Sequence, residues 1–182
     1  MKWMIASDLH GSAYYCRKML EAFEREGADR LFLLGDLLYH GPATTCPEST
    51  PPRRSVPLLN GKKEKLLCVR GNCECRGGPN GARIPRDGRL CGASGGAATH
   101  LCDPRAYLSC KNLPPLAPGD VLLHGHTHVP AWTEFGQGNL YLNPGSVSIP
   151  KENSPHSYMT LEGNTMQWKE LESSAVFHEL TL

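Results

Sequence analysis

The chain lacks any apolar run long enough to cross a bilayer. Its start, Met1-Lys2-Trp3-Met4-Ile5-Ala6, is broken by Ser7-Asp8-Leu9-His10 before a signal-peptide core could form. No cleavage pattern follows. Charge of one sign is missing too: 19 Lys and Arg face 18 Asp and Glu, for a net +1. That balance argues against a polyanion-binding surface or an acidic tail. The expectation is a cytoplasmic protein with no membrane partner and no specific nucleic-acid partner. Eight cysteines would suit a small secreted disulfide scaffold, but the secretory context is missing. At 182 residues the chain is expected to be a single domain, 1–182, with room for a real core.

A second shortage is local. From Cys75 to Cys110 there is no Val, Phe, Met or Trp, and the large aliphatics are Ile84, Leu90, Leu101 and Leu108. Gly, Arg, Cys and Ala dominate there. Such a stretch cannot bury enough apolar surface to offset its ordering entropy. An irregular, poorly packed segment is expected at 75–110.

The rest of the chain has ordinary patterning. Residues 2–7 read as a strand. Ser12 is an N-cap for a helix over 13–26, with Tyr15, Met19, Leu20 and Phe23 at helical spacing and Gly27 as its stop. Apolar runs at 30–34 and 65–69 read as covered strands, with a short helix at 56–60 between them. The stretch 41–54 is rich in Pro, Ser and Thr and reads as a loop. Further strands are expected at 121–124, 140–142, 147–149, 157–161, 165–171 and 175–180, with Gly163-Asn164 as a turn. Strands and helices alternate first and antiparallel strands follow, so the fold class is α/β with mixed sheets.

The chemistry lies at strand ends. Val121-Leu122-Leu123 runs into His124, His126 and His128, spaced two apart, so that in a continuing strand they would share a face. Imidazole is the commonest metal ligand. Asp8 and His10 follow the first strand, Asp36 the second and Asn72 the third. In open α/β sheets ligands bind outside the carboxyl ends of the strands. Any one of these positions reads equally well as a turn; the ordered series points to a metal site.

Asp8-x-His10, Gly35-Asp36, Gly71-Asn72 and Gly125-His126-x-His128 resemble the motif series of the calcineurin-like metallophosphoesterases. The likeness extends to the small bacterial YfcE-type phosphodiesterases through Ala6-Ser7-Asp8-Leu9-His10-Gly11, His40-Gly41-Pro42 and Asn143-Pro144-Gly145-Ser146-Val147-Ser148-Ile149-Pro150. It covers residues 1–74 and 111–182. The resemblance implies a four-layer α/β/β/α sandwich of two mixed sheets, and hydrolysis of a small phosphodiester at two divalent metals. Asp8, His10 and His128 would hold one metal, Asn72 and His126 the other, and Asp36 would bridge. Mn²⁺ is the first choice, with Zn²⁺, Fe or Ni²⁺ accepted by the same ligands. A bridging hydroxide would attack phosphorus in line. His40 would reach the substrate phosphate, although a loop histidine without a role fits as well. Cys73 stands where many members carry His. A thiol is a poorer proton donor to an alkoxide, so activated leaving groups are favoured, unless Cys73 simply packs. His124 is expected to be structural or to support a ligand from behind, rather than to bind metal itself. The sequence leaves oligomeric state open, a homo-oligomer included.

One departure is larger. The family places a further Gly-His pair between Asn72 and His126, and none stands in this chain. Asp103-Pro104-Arg105-Ala106-Tyr107 permits codons that, read one base on, give Thr-His-Gly-His. The run Cys75–Arg86 also permits a family-like sequence in that shifted frame. Residues 75–110 therefore read as frame-shifted, with a lost core strand and a weakened second metal as consequences. The competing readings are a diverged insertion, an interaction scaffold with a damaged site, and an inactive product of the shifted frame.

Overall fold

The computed structural model describes residues 1–38, 55–69, 71, 99–101 (backbone) and 116–182. Among these, two mixed sheets carry the fold. The first is built on β1 (Lys2–Ala6), β2 (Arg30–Leu33) and β3 (Leu66–Cys68), which run parallel. On its other side β8 (Ser157–Glu162), β9 (Thr165–Glu170) and β10 (Val176–Thr181) add antiparallel strands, in the order β10-β9-β8-β1-β2-β3. Gly163-Asn164 joins β8 to β9, with Gly163 at φ 59. The second sheet has the order β4-β5-β7-β6. Here β4 (Thr99–Leu101), β5 (Val121–Leu123) and β7 (Asn139–Pro144) are parallel neighbours, and β6 (Pro130–Phe135) is antiparallel at the edge.

Period-two alternation splits the core into two layers. Met4, Ala6, Leu31, Leu33, Leu66 and Cys68 point to one face of the first sheet. There they meet α1 (Ala13–Arg25) and α2 (Ser55–Asn60) through Cys16, Met19, Phe23, Val56 and Leu59. Ile5, Phe32 and Met159 point the other way and meet Val121, Leu123 and Leu142 of the second sheet. Truncating a fully buried ring such as Phe23 to Ala would cost about 3–5 kcal/mol. Ser12 caps α1 by accepting from the Tyr15 N–H at 3.3 Å, and Gly27 ends it at φ 59. The buried stripe of α1 is Cys16, Met19, Ala22 and Phe23; Tyr15 and Leu20 lie at its margin.

One expectation is corrected, and two strands are added to those read from the sequence. The strand expected at 147–149 is an irregular connection, because its polar groups bond to the ends of other strands (below). The strand β6 was hidden by Pro130, which an edge strand tolerates at its first residue. Within 75–110, Thr99–Leu101 forms β4 in register with β5, so a strand is present there. The remainder of 75–110, the loop 41–54 and any helix outside the second sheet fall outside the described residues.

Candidate metal centre

The ends of β1, β2 and β5 turn sharply rather than running on. Asp8, His10, Asp36, His126 and His128 all have left-handed backbones, with φ of 58, 47, 50, 66 and 66. That region is costly for residues other than glycine, and such strain gathers where side chains must be aimed. The chain accepts it because neighbouring loops hold one another. The His10 N–H donates to the Asp36 carbonyl at 2.8 Å, and the Gly11 N–H to the Leu37 carbonyl at 2.8 Å. The His126 N–H donates to Asp8 Oδ2 at 3.0 Å, which ties the end of β5 to the end of β1.

This geometry revises how the histidines converge. β5 stops at Leu123, so strand alternation does not align them. His124 is buried beside Tyr141, whose hydroxyl lies 3.3 Å from its Nδ1. Burial first, and the nearby His126, lower its pKa to about 4, so it stays neutral and structural. His126 and His128 are placed by the left-handed turns after it.

Asp8, His10 and His128 form one cluster, with ligand atoms within 4.8 Å of one another. Asp8 Oδ1 lies 3.3 Å from His128 Nε2 and 3.6 Å from His10 Nε2. The two Nε2 atoms are 3.3 Å apart. The Nδ1 of His128 donates to the Ile149 carbonyl at 2.8 Å, which turns its Nε2 lone pair toward Asp8. Burial outweighs the pull of Asp8 and holds His128 below its ordinary pKa, in the neutral form a metal needs. Burial works against ionisation of Asp8, yet His10 and His128 overcome it and hold the carboxyl below its usual range. Asp36 is buried alongside, its Oδ2 3.8 Å from His126 Nδ1.

The donor set fits a divalent cation. Asp8 Oδ1 and His126 Nδ1 are buried atoms without a hydrogen-bond partner among the described residues. Leaving such atoms unsatisfied is costly. An ionised carboxylate and inward imidazole nitrogens suit Mn²⁺, Zn²⁺ or Fe. Asn72, Cys73 and His40 lie outside the described residues.

The sequence reading gave no role to the residues that hold these ligands. The Asn143 side-chain N–H₂ donates to the Gly125 carbonyl at 2.9 Å and to Thr127 Oγ1 at 3.0 Å. Its Oδ1 accepts from the Gly145 N–H at 2.8 Å, and its carbonyl accepts from Trp168 Nε1 at 2.8 Å. Ser146 and Ser148 both donate to the Asp8 carbonyl, at 3.0 and 2.8 Å. The run Asn143-Pro144-Gly145 signals a turn; which loops it would grip was not legible.

The family model of the calcineurin-like phosphoesterase superfamily domain matches residues 1–166. The phosphodiesterase YfcE of Escherichia coli K12 is 35% identical over 192 residues, covering 100% of this chain and 98% of that one. The solved structure of the E. coli phosphoesterase Yfce aligns with a TM-score of 0.87 at 35% identity, over 100% of this chain and 99% of that one. Vps29 of Chaetomium thermophilum shares the fold alone, with a TM-score of 0.60 at 14% identity over 100% and 97%. With its motif series, two mixed sheets and His–Asp cluster at the strand ends, the chain belongs to the calcineurin-like phosphoesterase superfamily.

Proposed function

We propose that this chain is a cytoplasmic, single-domain, metal-dependent phosphodiesterase acting on a small phosphodiester. The observation that carries the reading is the convergence of Asp8, His10 and His128 from two separate strand ends, with Asp36 and His126 beside them. The E. coli relative, named a phosphodiesterase and aligned over nearly its full length, supports the same activity.

Asp8, His10 and His128 would hold one divalent metal, Mn²⁺ by preference. Asp36 would reach both metals, and His126 the second, with Asn72 added from the sequence pattern. When bound, the metal pair would supply a hydroxide at neutral pH and stabilise charge on the phosphoryl oxygens. The protein's share is positioning. The ionised Asp8 and the fixed tautomer of His128 keep donors aimed without rearrangement. Buried Asp36 presents its charge in a low-dielectric setting, where it acts strongly on a cation. His40 would contact the substrate phosphate, and Cys73 in place of His favours leaving groups that need no proton.

The test is hydrolysis of bis(p-nitrophenyl) phosphate by the purified chain with Mn²⁺ and after chelation. Turnover that disappears on chelation and returns with Mn²⁺ is expected. Tight metal binding without turnover would instead indicate a scaffold that kept its ligands.

A further inference from the structure

We propose that Ser146 and Ser148 are positioning residues of the metal centre, their hydroxyls together fixing the Asp8 backbone that aims its carboxylate at His10 and His128. This rests on the metal-site reading above and deepens it.

Asp8, two residues past the end of β1, has a left-handed backbone at φ 58. Its N–H still reaches the Gly35 carbonyl at 3.3 Å, but its carbonyl is turned toward the connection after β7. A buried carbonyl has two lone pairs to satisfy. Ser146 Oγ takes one at 3.0 Å and Ser148 Oγ the other at 2.8 Å. The direction of the first bond is set, because Ser146 Oγ also accepts from the Ile149 N–H at 3.0 Å and so gives its proton to Asp8. Both serines are buried. Water therefore does not compete for these bonds.

The same short connection grips the neighbouring ligands. The Val147 N–H donates to the Ser7 carbonyl at 3.1 Å, and the Ile149 carbonyl receives His128 Nδ1. One rigid piece thus fixes the backbone of Asp8 and the ring of His128. This is the reason Val147–Ile149 is not a strand: its polar groups are committed to the ligand loops. If the serines merely satisfied a buried carbonyl, their loss would lower stability and leave metal affinity intact. If they aim Asp8, affinity falls beyond any change in stability.

The experiment titrates Mn²⁺ alone into the full chain by calorimetry and records the visible spectrum of the Co²⁺-loaded protein. Ser146→Ala/Ser148→Ala is expected to bind Mn²⁺ about 10–100-fold more weakly, the range for lost outer-shell partners, and to shift the Co²⁺ bands. Ser148→Thr, which keeps the hydroxyl, is expected to stay near wild type. Tyr158→Phe removes a buried hydroxyl that bonds Glu26 and Ser174, away from the ligands, and serves as the control for loss of a buried hydroxyl, with melting points of both variants measured alongside. Asp8→Asn tests the site itself. Loss of binding in Asp8→Asn with wild-type binding in the double serine variant overturns the positioning role and leaves the metal site standing. Wild-type binding in Asp8→Asn overturns both. Equal weakening in Tyr158→Phe would reduce the serines to a stability role. Should the double variant not fold, Ser148→Ala against Ser148→Thr decides the question: equal affinity in those two overturns the proposal.

Discussion

His10 and His128 face each other through their Nε2 atoms, 3.3 Å apart, with Asp8 Oδ1 3.3 Å from the second. His128 has its proton on Nδ1, committed to the Ile149 carbonyl. Its Nε2 therefore offers a lone pair to the space it shares with His10 and Asp8. A cation there meets donors already oriented.

Binding to the folded chain alone raises its stability by mass action, about 2.7 kcal/mol at a hundred times Kd. Saturating Mn²⁺ is expected to raise the melting temperature measured by calorimetry. His128→Asn should abolish most of that rise while changing the metal-free melting point much less. An equal rise in the variant would place the cation elsewhere.

In the proposed centre Asp36 would serve both metals, so its loss would matter more than loss of a group touching substrate alone. Asp36→Asn is expected to lower kcat by about a thousandfold, roughly 4 kcal/mol of transition-state stabilisation. His40→Ala should cost less and act more on KM. Steady-state kinetics with bis(p-nitrophenyl) phosphate separates the two. Equal losses would mean that the bridging assignment is wrong.

Gly125 is required by space. A Cβ there would run into the Ser7 hydroxyl and stand 2.9 Å from Asp8 Oδ2, the atom that accepts from the His126 N–H. Gly125→Ala should therefore push the β1 and β5 ends apart. The expected result is Mn²⁺ affinity lowered by at least about tenfold with folding retained, since outer-shell disturbances cost 10–100-fold. Far-ultraviolet circular dichroism and a Mn²⁺ titration read the two quantities.

Acid stability has a separate seat. The Glu26 carboxylate bonds Lys169 at 2.9 Å, Lys2 at 2.7 Å and the Tyr158 hydroxyl at 2.6 Å. Burial opposes its charge, but Lys2, Tyr158 and Lys169 overcome it and lower its pKa from 4.5 to about 2. The folded chain thus binds this proton less readily than the unfolded one. The stabilisation is full above about pH 4.5 and is lost as pH falls toward 2. It is at most on the order of 3 kcal/mol. Denaturant melts of Glu26→Gln should show a deficit at pH 7 that shrinks by pH 3. A gap that is constant with pH would exclude the linkage.

Much of this molecule was legible because its signals are local. The apolar runs of β1 and β2, the Ser12 cap and the Gly27 stop depend on neighbours in sequence. Asp8, His10, Asp36, His126 and His128 were found because each follows an apolar run. Illegible were contacts made across more than a hundred residues. Ser148 reaches Asp8 over a separation of 140, and it is this bond that turns an apparent strand into a connection. The apolar face of α1 was legible too, since Met19 and Phe23 are buried and Tyr15 and Leu20 pack against the same cluster. Sequencing the DNA that encodes 75–110 would decide whether that composition is genuine.

The two proposed metal positions should differ in strength. Asp8, His10 and His128 supply three donors to the first, with Asp36 near. Among the described residues, Asp36 and His126 would supply the second, with Asn72 added from the sequence; the family's further Gly-His pair is absent from the chain. His126 is also the more open ligand, its side chain 39% exposed against 7% for His128. Water competes more effectively for an exposed donor, and fewer protein donors mean weaker binding. A Mn²⁺ titration is expected to be biphasic. His126→Ala should remove the weak phase and spare the strong one. His128→Asn should remove the strong phase. A single phase of two equivalent ions, lost together in either variant, would show that the second site is complete without the missing histidine.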